Sequence, residues 1–129
     1  MTKVLILSPD WRLAGQIQLF LQESLAGSDL TFVRQAITRA VSGRHVFGSE
    51  QPDVVIIDEA IKGFGSLVEA VARDAIHPGI VVLVEASGVQ LVKELQSLSG
   101  ALRMVDKSQY WETTIAEAFK QVLEARAAG

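Results

Sequence analysis

Pro52-Asp53-Val54-Val55-Ile56-Ile57-Asp58 is the stretch on which the fold turns. Its four consecutive branched apolar residues lie between a proline–aspartate pair and a carboxylate. A strand with one wet face would alternate, so this run reads as a strand covered on both faces. Val4-Leu5-Ile6-Leu7 and Ile80-Val81-Val82-Leu83-Val84 have the same character. Leu30-Thr31-Phe32-Val33 and Leu102-Arg103-Met104-Val105 mix apolar and polar residues, which suits the edges of a sheet.

Helical patterns separate these runs. Leu13, Ile17, Phe20, Leu21 and Leu25 recur at helical spacing behind Asp10, a candidate N-cap. Ile37, Ala40 and Val41 mark a weaker second segment, interrupted by Gly43 and Gly48. Phe64, Leu67, Val68, Val71 and Ala72 form a third, and Leu91, Val92, Leu95 and Leu98 a fourth. Ile115, Ala118, Phe119, Val122 and Leu123 form the last, with Ser108 a candidate cap. Strand–helix alternation predicts an α/β fold with a parallel sheet, right-handed crossovers and helices on both faces. Continuous strands 1, 3 and 4 at the centre and mixed strands 2 and 5 at the edges fit the flavodoxin-like order 2-1-3-4-5, a doubly wound three-layer α/β/α architecture.

Composition narrows the function classes. The 129 residues suit a single domain, residues 1–129, with a core of real size. A mean hydropathy of +0.28 with a net charge of −3 excludes disorder. The absence of cysteine excludes a disulfide scaffold and fits a reducing, cytoplasmic setting. No apolar run approaches the length of a membrane span, and the apolar stretch after Met1-Thr2-Lys3 is too short for a signal peptide. A sequence pI of about 5.3 gives no electrostatic footprint for nucleic acid.

In doubly wound sheets the site lies beyond the carboxyl ends of the strands. Those ends read Ser8-Pro9-Asp10, Asp58-Glu59, Glu85-Ala86-Ser87 and Asp106-Lys107-Ser108. Several carboxylates and one ammonium group therefore converge on one rim. A carboxylate beside a lysine is suited to accept and then neutralise a phosphoryl group.

At this point the sequence resembles a known family, the CheY-like receiver domains of bacterial response regulators in two-component phosphorelay signalling. The resemblance spans essentially the whole chain. It is carried by Lys3 through Leu7, Pro52 through Asp58, Val81 through Ala86, and Gly100-Ala101 through Val105-Asp106-Lys107. It implies that Asp58 is the phosphoacceptor and that Lys107 contacts the phosphoryl group.

The departures point to an atypical receiver. Receivers hold Mg²⁺ with an acidic pair at the end of strand 1, whereas Ser8 and Pro9 stand there, with Asp10 one place later. The resemblance thus leaves Asp10 and Asp58 as weak metal ligands and Mg²⁺ as a possible but weakened cofactor. Glu85 replaces the usual Thr or Ser, with Ser87 two residues on, and adds an anion to the phosphoryl pocket. Lys62 is placed to offset that charge by pairing with Asp58 or Glu85. Met104 occupies the aromatic switch position of strand 5.

The remaining motifs are weak. Gly63-Phe64-Gly65 begins like a dinucleotide fingerprint but reads as a turn, and His45 and His77 lack zinc spacing. No nucleophile elbow, Walker A or HExxH pattern occurs, so the chain is not expected to be an enzyme. Tyr110 and Trp111 either pack as core or join Val89, Leu91 and Met104 in an interface on the face of the fourth helix, fifth strand and last helix. The expected partners are proteins, namely a histidine kinase, an output domain or a second copy. Phosphorylation at Asp58 is expected to be weakened or absent. The alternative is an N-terminal localisation module of a larger protein, such as a MinD-like pilus-assembly ATPase.

Overall fold

The structure is a computed structural model that describes residues 2–39, 51–85, 89–108 and 111–128, with only the backbone of the last. Five strands form one parallel sheet in the order β2-β1-β3-β4-β5, as the pattern of continuous and mixed runs predicts. They are β1 (Thr2–Leu7), β2 (Leu30–Gln35), β3 (Val54–Asp58), β4 (Gly79–Val84) and β5 (Leu102–Asp106). Every residue of β3 and β4 is buried, while all of β2 is only half-buried. That contrast matches central strands flanked by partners on both sides and an edge strand flanked on one.

Among the described residues four helices cover the sheet: α1 (Trp11–Ser24), α2 (Phe64–Ala72), α3 (Val89–Leu95) and α4 (Trp111–Ala128). The pleat sends alternate residues to opposite layers. Val4, Ile6, Val54, Ile56, Val81 and Leu83 meet Ile17 and Leu21 of α1 and Ile115, Phe119 and Val122 of α4. Leu5, Leu7, Val55, Ile57, Ile80 and Val82 meet Leu67, Val68 and Val71 of α2 and Val92 and Leu95 of α3. Gly79 lets β4 start close beneath α4, because a Cβ there would lie 2.9 Å from a methyl of Val122 and 3.3 Å from its backbone oxygen.

The fourth helical segment expected from Leu91 to Leu98 is shorter than its pattern, since Gln96–Leu98 tightens into a 3₁₀ turn. Of the weak second segment, Ile37 packs against the core, while Ala40 and Val41 lie outside the described residues. Gly63 adopts a left-handed φ of 80° and N-caps α2, so of Gly63-Phe64-Gly65 only Gly63 lies in the turn that the sequence suggested, and Phe64 and Gly65 already belong to the helix. No helix among the described residues is long and apolar enough to cross a membrane. At the amino edge of the sheet Arg126 donates to Asp53 at 2.9 Å and to the His77 carbonyl at 3.2 Å. These contacts lie at the opposite end of the strands from Asp58.

Candidate functional site: a buried carboxylate held by serine and lysine

Parallel register aligns the strand ends. Leu7 pairs with Ile57, and Asp58 pairs with Leu83. Ser8 and Asp58, each one residue further along its strand, therefore stand side by side at the carboxyl edge. Both are 1% exposed, and they are the only buried polar residues among those described.

A buried carboxylate needs partners on both oxygens, and Asp58 has them. The Ser8 hydroxyl donates to Oδ2 at 2.8 Å. The Lys107 ammonium donates to Oδ1 at 2.6 Å, and the Ala60 amide also donates to Oδ1, at 2.9 Å. Ser8 is itself fixed by the Asp10 amide, which donates to its Oγ at 3.0 Å. Lys107 is positioned by the backbone on either side of it. Its amide bonds to the Val84 carbonyl at 2.9 Å, and the chain then turns as the Ser108 hydroxyl and amide bond to Asp106. Those bonds hold the Asp106 carboxyl below its usual value, the hydroxyl contributing most. Ser108 therefore forms this turn rather than capping the last helix.

Asp58 and Lys107 meet as the strand ends suggested. Asp10 turns away, its Oδ1 accepting from the Leu13 amide at 3.0 Å as the N-cap of α1. Replacing Asp10 with alanine should cost about 1 kcal/mol in urea denaturation, the usual value of such a cap.

Lys62 and Glu85 depart from expectation. Lys62 is exposed and is held through its backbone amide, which donates to the Thr38 carbonyl at 2.9 Å. Among the described residues it forms an ion pair with neither Asp58 nor Glu85. Asp58 already has Lys107 as its counter-charge, and the Lys62 side chain stays in water. The Glu85 side chain is exposed, and the bond it makes is through its amide, which donates to Glu59 at 2.6 Å. Ser87 and Tyr110 lie outside the described residues.

Two contributors escaped the sequence reading. Ser8 looked like a departure from an acidic pair, yet it bonds directly to Asp58. Glu59 ties the end of β3 to the end of β4, since its amide also bonds to the Leu83 carbonyl at 3.0 Å. The available signal was positional, because both residues end a continuous apolar run.

Of the interface candidates, Trp111 stacks edge-on against Phe20 of α1 with ring centroids 6.0 Å apart. It is half-buried in the α1–α4 layer, not turned toward the β5 edge, because the first turn of α4 faces α1. Val89 and Met104 are half-buried against the opposite layer. Leu91 is 40% exposed and rests over Gly65 of α2.

Comparison with solved structures gives this architecture its place. The chain superposes on the signal receiver domain of an HD domain-containing protein from Pseudomonas fluorescens Pf-5 with a TM-score of 0.76 and 13% identity, covering 99% of this chain and 98% of that one. The chain carries the receiver-domain fold. The chemotaxis protein CheY4 of Vibrio cholerae matches with a TM-score of 0.67 at 20% identity over 95% of this chain and 99% of its own. The response regulatory domain of mrkE from Klebsiella pneumoniae matches at 0.68 and 17% over 99% and 100%. No protein-family profile matches the sequence, and no curated protein is similar to it. Within this receiver fold, Asp58 ends the third strand and Lys107 follows the fifth.

Proposed function

We propose that the chain is an atypical receiver domain in signal transduction that acts through protein–protein contact, with Mg²⁺-dependent phosphorylation at Asp58 weakened or absent. The observation that carries this reading is the 2.8 Å bond from the Ser8 hydroxyl to Asp58 Oδ2. In the resemblance, Ser8 occupies one of the places where receivers carry a magnesium-binding carboxylate. Here a neutral hydroxyl satisfies the aspartate directly.

The chemistry follows from charge. Asp58 and Lys107 form a pair that is neutral as a whole. A phosphoryl group adds about two negative charges, and receivers offset that addition with a divalent cation. The residues described do not fit such a cation. Asp10 is engaged by its helix, each Asp58 oxygen already accepts a hydrogen bond, and no group of three acidic or histidine side chains is assembled. Mg²⁺ requires near-octahedral hard oxygen ligands, which this geometry does not supply.

Without a charge step at Asp58, the resting arrangement is the working one. Partners then read a constant surface, and the domain contributes recognition rather than catalysis. A titration of the wild-type chain with Mg²⁺ to millimolar levels, followed by amide chemical shifts, is expected to leave Ser8, Asp58 and Lys107 unmoved. Saturable shifts at these residues that vanish in Asp58→Asn would overturn the reading.

A further inference from the structure

The outer face of α1 differs from an ordinary solvated helix. Its 14 residues contain one cation, Arg12, and one anion, Glu23, with three glutamines and an exposed leucine between them. Leu19 is 57% exposed, the most of any large apolar side chain among the described residues. At about 100° per residue, Arg12, Gln16, Leu19 and Glu23 fall within an arc of roughly 60°. The buried stripe of Ala14, Ile17 and Leu21 lies on the opposite side, so this row points straight out.

We propose that this face is the docking surface for a second copy of the same chain, with two α1 helices packed antiparallel about a two-fold axis. The charge pattern is self-complementary in that arrangement only. An antiparallel register sets Arg12 against the partner's Glu23, and symmetry repeats the pair at the other end. Gln16 then lies over the partner's Leu19, and the two leucines flank the axis. A parallel register would place Arg12 on Arg12 and Glu23 on Glu23, so like-charge repulsion selects against it. Among the described residues neither Arg12 nor Glu23 has an ion-pair partner within the chain. The charges are thus available to a partner.

A second feature flanks the face, about 80° round the helix from Leu19 on the side of β2. Trp11 is 51% exposed, and the Arg34 guanidinium lies 4.4 Å from its ring centroid. Gly15 makes room for that stacking, because a Cβ there would approach Arg34 to 2.8 Å. Trp11 is therefore held in place before any partner arrives, which reduces the ordering cost of docking. Tryptophan and arginine are enriched at such surfaces, and lysine, glutamate and aspartate depleted. This inference concerns α1 alone and stands apart from the chemistry of Asp58.

Sedimentation velocity on the full chain across a concentration series tests it. Wild type is expected to show a monomer–dimer equilibrium, and Leu19→Asp to be monomeric throughout. Arg12→Glu and Glu23→Arg should each weaken the dimer by about tenfold, since one substitution sets two like-charge pairs in opposition. The double variant should restore wild-type affinity, a result that a merely structural role for either residue would not give. Leu19 is exposed, so Leu19→Asp should keep the wild-type circular dichroism spectrum. If it does not, the charge reversals carry the test alone. A wild type that stays monomeric, a dimer broken by Leu91→Asp instead, or a double reversal without recovery would overturn the proposal.

Discussion

Lys107→Ala should lower the unfolding free energy by about 3 kcal/mol, because it leaves a buried carboxylate without its counter-charge. The pair lies 2.6 Å apart, with side-chain exposures of 15% for the lysine and 1% for the aspartate. After the substitution Asp58 keeps only the Ser8 hydroxyl and the Ala60 amide. Neutral donors do not replace an ammonium group in a water-poor setting. A loss of this size would shift the melting temperature by about 10 °C in a chain of this length. Domains of this kind have stabilities of about 5–15 kcal/mol, so the variant should remain folded with its far-ultraviolet circular dichroism intact.

The reverse variant supplies an internal control. Asp58→Asn leaves the lysine at the rim, where its flexible stem can carry the ammonium group into water. That variant should lose only about 1 kcal/mol. Equal losses for the two variants in urea denaturation would show that Asp58 is not the buried member of the pair.

Ser8→Asp should have an effect of similar size that depends on metal. It sets a second carboxylate beside Asp58 at a position 1% exposed, so like charges meet where water cannot screen them. In chelator the expected loss is about 3 kcal/mol. The same substitution creates two adjacent hard anionic ligands, which suits Mg²⁺. Magnesium at about 100 times its dissociation constant should then return close to 2.7 kcal/mol, raising the melting temperature of this variant and not of wild type. A variant as stable as wild type in chelator, with no response to Mg²⁺, would show that Ser8 does not face Asp58.

The fold was legible in the sequence because burial wrote itself into runs. Val54 to Ile57 and Ile80 to Val84 carry no polar residue, and runs so short and rich in β-branched residues suit strands covered on both faces. The strand ends then located Asp58 and Lys107 together, since parallel register leaves little freedom at a shared edge. Asp10 was legible as a cap for the same local reason.

What stayed hidden was orientation. The spacing of Ile115, Ala118, Phe119 and Val122 gives the phase of the last helix but not which neighbour its first turn meets, so the contact of Trp111 with Phe20 could not be read. Ser8 carried no chemical signal, because a serine after a strand looks the same whether it turns the chain or bonds a carboxylate. Glu85 looked like a pocket anion because side chains dominate a sequence reading, whereas its amide makes the contact that matters here. Leu19 lies outside the apolar stripe of its helix and was passed over for that reason.

The most direct measurement is intact mass after incubation with acetyl phosphate and Mg²⁺, with an ordinary receiver as positive control and Asp58→Asn as negative control. On the proposed reading, in which Ser8 and Lys107 hold Asp58 and the described residues assemble no group that could hold a cation, Asp58 should remain unmodified while the positive control is labelled. A phosphoryl adduct on wild type that is absent from Asp58→Asn would contradict the account and make the domain a working switch.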